Sequence, residues 1–266
     1  MSERLRVALV AGTLGQGGAE KQLTYMARGL HAAGVDCRVF CTTQGEFYSG
    51  ILEQYGISPT WLGPREQPFH RLSALVRLLR QFRPHVVQAG HFFVNLYVTL
   101  AARACGAMPI GTIRNDARHE LDTHGAWGPA LLRLPPSILA NSWAARANAE
   151  TLGVPLRRLH VLTNVIDLDE LDRALAMTAP RPISSRPTLL MLCRLYPVKR
   201  VDRFLRVVEA VKRRVPDVRA MIVGEGTERA ALEAMAGALG LLPGTVEFLG
   251  RRDDIATVLR TADALV

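Results

Sequence analysis

Two cations five residues apart, Arg194 and Lys199, follow a short apolar run in "LLMLCRLYPVKRVDRFLRVV". The run reads as a buried strand and the residues from Val201 onward as an amphipathic helix. Both cations therefore fall at the carboxyl end of a strand and beside a helix N-terminus. Such a place binds anions: the helix end offers free N–H groups and partial positive charge. Arginine adds a planar fork for two phosphate oxygens, and lysine adds a point charge. Taken alone, the pair also describes a solvated basic helix start. A second candidate is "ALVAGTLGQGGAEKQL", where an apolar run meets Gly12, Gly15, Gly17 and Gly18 and a helical pattern follows. Strand, glycine-rich turn and helix let a backbone approach a phosphate, or simply make a tight turn. His91 stands at the end of another strand signal, in "QAGHFF".

The first glycine turn has a rival reading. Gly12, Gly15 and Gly18 fit a GxxGxxG spacing used for dinucleotides, which would make the chain an NAD(P)-binding Rossmann oxidoreductase. Two absences count against it. An acid should follow the second strand to hold the ribose, but Asp36 precedes that strand and Thr42 and Thr43 follow it. Such dehydrogenases also pair Tyr with Lys four residues on, and none of Tyr25, Tyr48, Tyr55, Tyr97 or Tyr196 has that Lys. The P-loop pattern fails as well. Cys37, Cys41, Cys105 and Cys193 lie in or beside apolar runs with no CxxC pair, so they read as reduced core thiols and no metal site is indicated.

Behind these residues stands a chain of 266 residues, 48% hydrophobic, which is comfortable for two domains. The net charge of +9 suits a phosphate-bearing ligand or an anionic membrane surface. No basic run with interleaved aromatics points to nucleic acid. The longest apolar stretch, 92–113, is broken by Asn95, Arg103, Gly106 and Pro109, so it reads as a helix and a strand rather than a membrane span. The opening "MSERLRVALVAGTLG" lacks a small-x-small cleavage site and reads as a first strand. A cytoplasmic protein is expected.

Strand signals at 6–11, 37–42, 86–88, 109–113 and 138–140 alternate with helical ones, including 19–33 and 71–82. This rhythm predicts parallel strands with crossover helices. The stretch "AMTAPRPISSRP" interrupts it and reads as a linker. The rhythm then restarts with strands at 188–193, 218–224 and 245–250 and helices at 201–214 and 228–239. The expected organisation is a first domain at 1–176, a linker at 177–187 and a second domain at 188–266.

Taken in order along essentially the whole chain, five segments resemble the retaining glycosyltransferases of family 4, which have the GT-B fold. They are "GQGGAEKQL", "ILANSWAARANAETLGVPLRRLHVLTNVIDLDEL", "LCRLYPVKRVDRFL", "MIVGEGTERAALE" and "VEFLGRRDDI", with Cys193 where glycine is usual. The resemblance implies an α/β protein of two Rossmann-like parallel-sheet domains, the first on the acceptor side and the second, truncated here, holding a nucleotide sugar in the cleft between them. It implies transfer of a sugar, with retention, from a UDP-, GDP- or similar nucleotide sugar to a hydroxyl of a polysaccharide, glycolipid or lipid-linked saccharide. No further cofactor is implied.

By the same resemblance, Arg194 and Lys199 hold the diphosphate and stabilise its growing charge. Gly224, Glu225, Gly226, Gly250 and Arg251 lie by the nucleoside, and Gly17 and Gly18 let the first loop close over phosphate and sugar. His91, Asp116 and His119 are the acceptor-side candidates. Arg77 and Arg80, on one helix face, suit peripheral contact with the inner face of the membrane. One departure matters. The family's spaced glutamate pair should follow the strand that begins at Ala262, and the chain ends at Val266. A catalytically silent nucleotide-binding fragment is the alternative expectation.

Overall fold

The computed structural model describes residues 4–64, 66–179 and 186–266. The chain divides into two compact units, Met1–Val165 and Ile166–Val266. The division falls earlier than the linker expected at 177–187, because the helix that precedes those prolines packs within the second unit. Residues 180–185 of that stretch lie outside the described residues.

The first unit carries seven parallel strands: β1 (Arg6–Ala11), β2 (Asp36–Cys41), β3 (Thr60–Trp61), β4 (Val86–Ala89), β5 (Met108–Ile113), β6 (Ser137–Ala140) and β7 (Leu159–Val161). Their order is β3-β2-β1-β4-β5-β6-β7. Helices fill the crossovers: α1 (Gly18–Ala32), α2 (Phe47–Gln54), α3 (Pro68–Phe82), α4 (Asn95–Ala104), α5 (Ala117–His124), α6 (Gly128–Arg133) and α7 (Trp143–Thr151). Burial on both faces explains why β1 is apolar from Val7 to Ala11. Ala8 and Val10 pack with Leu75 and Leu79 of α3 and Val98 of α4, while Val7, Leu9 and Ala11 pack on the other face with Leu23 and Ala27 of α1. The helix expected from residue 71 starts at Pro68, whose missing N–H costs nothing in a first turn.

Strands β4 and β5 pair only from Val86↔Met108 to Gln88↔Ile110. Beyond that point the fully buried Asn95 takes the place of the missing strand. Its Oδ1 accepts from Thr112 N–H at 2.9 Å, and its Nδ2 donates to Thr112 O at 3.1 Å and Leu131 O at 3.2 Å. The carboxyl end of β5, paired on its other side with β6 as far as Ile113↔Ala140, is thereby fixed on the β4 side as well.

The second unit opens with α8 (Leu168–Ala176), which packs on α11 (Ile255–Arg260). Asp167 caps α8 by accepting from Glu170 N–H. Between these helices run β8 (Thr188–Leu192), α9 (Val201–Lys212), β9 (Arg219–Val223), α10 (Arg229–Ala238) and β10 (Val246–Gly250), and β11 (Ala264–Leu265) ends the series. The parallel sheet has the order β10-β9-β8-β11. Leu195, Phe204, Leu205, Val208, Ile222 and Leu232 form its main core. Among the described residues, every buried apolar cluster lies within one unit or the other. All four cysteines are free; of those expected in the core only Cys41 is buried, and Cys37, Cys105 and Cys193 are half-buried at sheet and helix margins.

Candidate functional site

Each sheet changes its direction of growth at its own first strand, between β1 and β4 in the first unit and between β8 and β11 in the second. In open parallel sheets ligands bind outside the carboxyl ends of the strands at such points. Most of the residues singled out from the sequence lie near those points, Asp116 and His119 excepted.

In the second unit, Arg194 follows β8 directly and Lys199 closes a short turn before α9. Both side chains are exposed. Neither forms an ion pair with a carboxylate among the described residues, whereas the adjacent Arg200 grips Asp202 with two bonds, at 2.7 and 2.9 Å. That pairing holds the Asp202 carboxyl down at a pKa of about 2. Arg194 lies against the Tyr196 ring, 5.4 Å from its centroid. Burial raises the Cys193 thiol, and the charge of nearby Lys199 partly offsets the rise.

Backbone bonds draw the remaining candidates beside these cations. Leu195 N–H donates to Glu225 O at 2.9 Å, and Gly224 N–H donates to Gly250 O at 2.8 Å. A Cβ on Gly224, whose φ is +140°, would sit 1.8 Å from Cys193 O, and one on Gly226 would sit 2.2 Å from Leu195 O. These glycines are thus required by close packing of the β8 and β9 loops. The Glu225 carboxylate is held by Arg229 at 2.6 Å, and Arg251 reaches Asp253 at 3.8 Å.

In the first unit, Gly17 is the extended N-cap of α1 and Gly18 its first residue. A Cβ on Gly17 would meet Glu20 Oε2 at 2.2 Å, while one on Gly18 would meet nothing within 4 Å. The carboxylate that Gly17 makes room for is part of a buried polar cluster. Glu20 Oε1 accepts from the Thr13 hydroxyl at 3.0 Å and lies 3.3 Å from His91 Nε2, at an angle too poor for a full hydrogen bond. On the other side of the ring, His91 Nδ1 accepts from Gly12 N–H at 3.1 Å, so the neutral imidazole carries its proton on Nε2. Burial pushes the Glu20 carboxyl up, but the close His91 ring, its own backbone N–H and the Thr13 hydroxyl together outweigh it, and the net shift is downward. Phe93 covers Gly12, stands 5.4 Å from the His91 ring and stacks on His124 at 6.3 Å.

Asp116 and His119 lie apart from this pair. Asp116 caps α5, accepting from Arg118 N–H at 2.7 Å and from Asn148 Nδ2 at 3.1 Å, so both its oxygens serve the fold. His119 is exposed on α5, and the half-buried Glu120 beside it feels the charges of His124, His119 and His91. Sequence reasoning passed over Glu20, Glu46 and Phe93. Glu46 accepts from Leu14 N–H and from the Thr43 hydroxyl. The signal was available: Glu20 follows the double glycine at the spacing that places it on the first turn of α1. At the end of β2, Thr42 bonds to Gly12 O where a ribose-binding acid would stand. No group of three or more His, Cys, Asp or Glu that could hold a metal is present among the described residues.

A family profile described as Glycosyltransferase Family 4 matches residues 16–170, and one described as Glycosyl transferases group 1 matches residues 186–266. No curated protein matches the chain. Among solved structures, Anabaena HepE (Alr3699) in complex with UDP-glucose is similar with a TM-score of 0.79 at 19% identity, over 98% of this chain and 73% of that one. A glycosyltransferase from Rickettsia africae gives 0.70 at 15% identity, over 98% and 72%. Sucrose-phosphate synthase from Thermosynechococcus elongatus gives 0.70 at 14% identity, over 98% and 75%.

Proposed function

Because this chain belongs to Glycosyltransferase Family 4, we propose that it moves a sugar, with retention, from a nucleoside-diphosphate sugar to a hydroxyl of a polysaccharide, glycolipid or lipid-linked saccharide. Arg194 and Lys199 hold the diphosphate on the second unit and stabilise the charge that grows on it as the glycosidic bond breaks, the point at which fixed charge contributes most. Gly250, Arg251 and the turn Gly224–Gly226 flank the nucleoside. In the first unit Gly17 and Gly18 leave α1 N–H groups open to the phosphate and sugar, and His91 lies on the acceptor side.

One observation carries this reading. Arg194 and Lys199 are cations without a carboxylate at a sheet switch point, in a unit where Arg200, Arg219, Arg229 and Arg252 are each matched to one. The UDP-glucose held by HepE makes a UDP-sugar the first donor to test. Calorimetry with UDP, GDP and NAD is expected to show binding of UDP or GDP that weakens in Arg194→Ala. Binding of NAD alone, unchanged in that variant, would overturn the reading. In a transfer assay Arg194→Ala is expected to lose about 2–4 kcal/mol of transition-state stabilisation in kcat/KM.

The reading extends to where the acceptor is met. No helix among the described residues is long and apolar enough to cross a membrane. Phe69, 84% exposed at the start of α3, stands with Arg77 and Arg80 along a shallow groove on that helix. This combination supports peripheral contact with an anionic leaflet from the cytoplasmic side, each basic residue adding about 1 kcal/mol. Vesicle sedimentation is expected to depend on anionic lipid and to weaken with salt; equal pelleting with neutral vesicles counts against it.

A further inference from the structure

Arg114 directly follows β5, at the same carboxyl edge as His91. Its guanidinium has one hydrogen-bond partner among the described residues, the Asn164 side-chain oxygen, 3.4 Å from Nη1. Nε is buried with no partner. The Nε–Nη2 edge, which grips an oxyanion through two parallel bonds, is therefore unengaged. Burial draws the guanidinium below its ordinary pKa, and no acid opposes that shift. A desolvated cation without a counter-charge is expensive to keep.

Two other arginines of this unit are spent on the fold. The buried Arg71 donates to Gly63 O and Thr42 O, each at 2.9 Å, and the half-buried Arg158, whose Nε is also without a partner, turns its Nη2 to the Arg133 and Pro135 carbonyls. The nearby Asp116 carboxylate is committed to Arg118 N–H and Asn148. The backbone under Arg114 is held firmly: its carbonyl accepts from Asn141 Nδ2 at 3.0 Å, and Asn95 clamps Thr112 two residues earlier. A rigid strand end thus presents a fork with free donors.

We propose that Arg114 is an oxyanion subsite for the acceptor, its Nε–Nη2 edge taking a phosphate or carboxylate group that the acceptor carries. The donor diphosphate already has its cations in Arg194 and Lys199. The word acceptor rests on the transferase reading; the anion site itself does not.

The buried Nε–H gives a side-chain proton–nitrogen resonance, assigned by its loss in Arg114→Lys. The full chain is titrated with inorganic phosphate, with glucuronate and with glucose as neutral control. The expected result is a saturable shift of that resonance with phosphate or glucuronate and none with glucose, retained in Arg194→Ala. Response to phosphate alone assigns a phosphoryl group, and response to glucuronate alone a carboxylate. Arg114→Gln is expected to weaken binding of the same anion roughly tenfold or more. Silence toward both anions, or unchanged affinity in Arg114→Gln, overturns the proposal. UDP titrated into the same samples separates the two readings: without UDP binding the transferase reading fails, while a response at Arg114 still establishes the anion site.

Discussion

Glu20 and Glu120 are carboxylates near the same histidine, and their surroundings push them in opposite directions. Glu20 lies below its ordinary value although burial acts the other way. Glu120 is raised by burial, only partly offset by the charges of His124, His119 and His91. Glu20 therefore contributes stability above the unfolded pKa, near 4.5, and that contribution is lost as pH falls through the depressed folded value. Glu120 contributes below its unfolded pKa and loses the contribution as pH rises through the raised folded value, so its ionisation opposes folding at neutral pH. Chemical denaturation at pH 7 is expected to show Glu20→Gln less stable and Glu120→Gln more stable than the parent, each by about 0.5–1 kcal/mol after solvent screening. Both differences should shrink in acid. The glycines divide just as clearly. Gly224→Ala would force a Cβ to 1.8 Å from a carbonyl oxygen at a φ of +140°, an expected loss of about 3 kcal/mol. Gly18→Ala meets nothing within 4 Å, so it should fold normally, and a loss of UDP-sugar binding in that variant would report on the ligand alone.

The elements that position the site were legible where one periodicity ran long. Strand β1 was read at its observed bounds, because five apolar residues in a row leave a doubly covered parallel strand as the simplest choice. Helix α9, expected at 201–214, runs Val201–Lys212 with Val201, Phe204, Leu205 and Val208 buried on one face. Short helices such as α2, α5, α6 and α8 were not foreseen; they are six to nine residues long and lean on tertiary contacts more than on their own pattern. Arg71 and Asn95 were illegible for a different reason. A buried polar side chain declares itself only through the backbone groups it satisfies, and those lie 8 to 36 residues away. Arg194 and Lys199 were legible because a cation pair at a strand-to-helix turn is a local pattern. The Glu20–His91 contact joins elements 71 residues apart in sequence and was not. Asn95→Ala should strand Thr112 N–H in the core, at an expected cost of about 3 kcal/mol by denaturant unfolding. Gly237, inside α10, has empty space where a Cβ would go, so Gly237→Ala should stabilise the second unit by about 0.5–1 kcal/mol.

At the scale of the whole molecule, the net charge of +9 should speed encounter with an anionic nucleotide at low salt and lose that advantage as ionic strength rises past the Debye regime. The confinement of every buried apolar cluster among the described residues to one unit has a further consequence. A molecule with two separate cores carries two thermometers, and a ligand warms only the one it touches. A free nucleotide held by Arg194 and Lys199, without the sugar that Gly17 and Gly18 would meet, adds its binding free energy chiefly to the second unit, about 2.7 kcal/mol at a hundred times its Kd. For a unit of that size this moves the melting point by on the order of 10 °C. The first unit's transition should move less with a free nucleotide than with a sugar nucleotide or an acceptor. Scanning calorimetry with each ligand in turn would then read the address of the ligand directly from which peak moves.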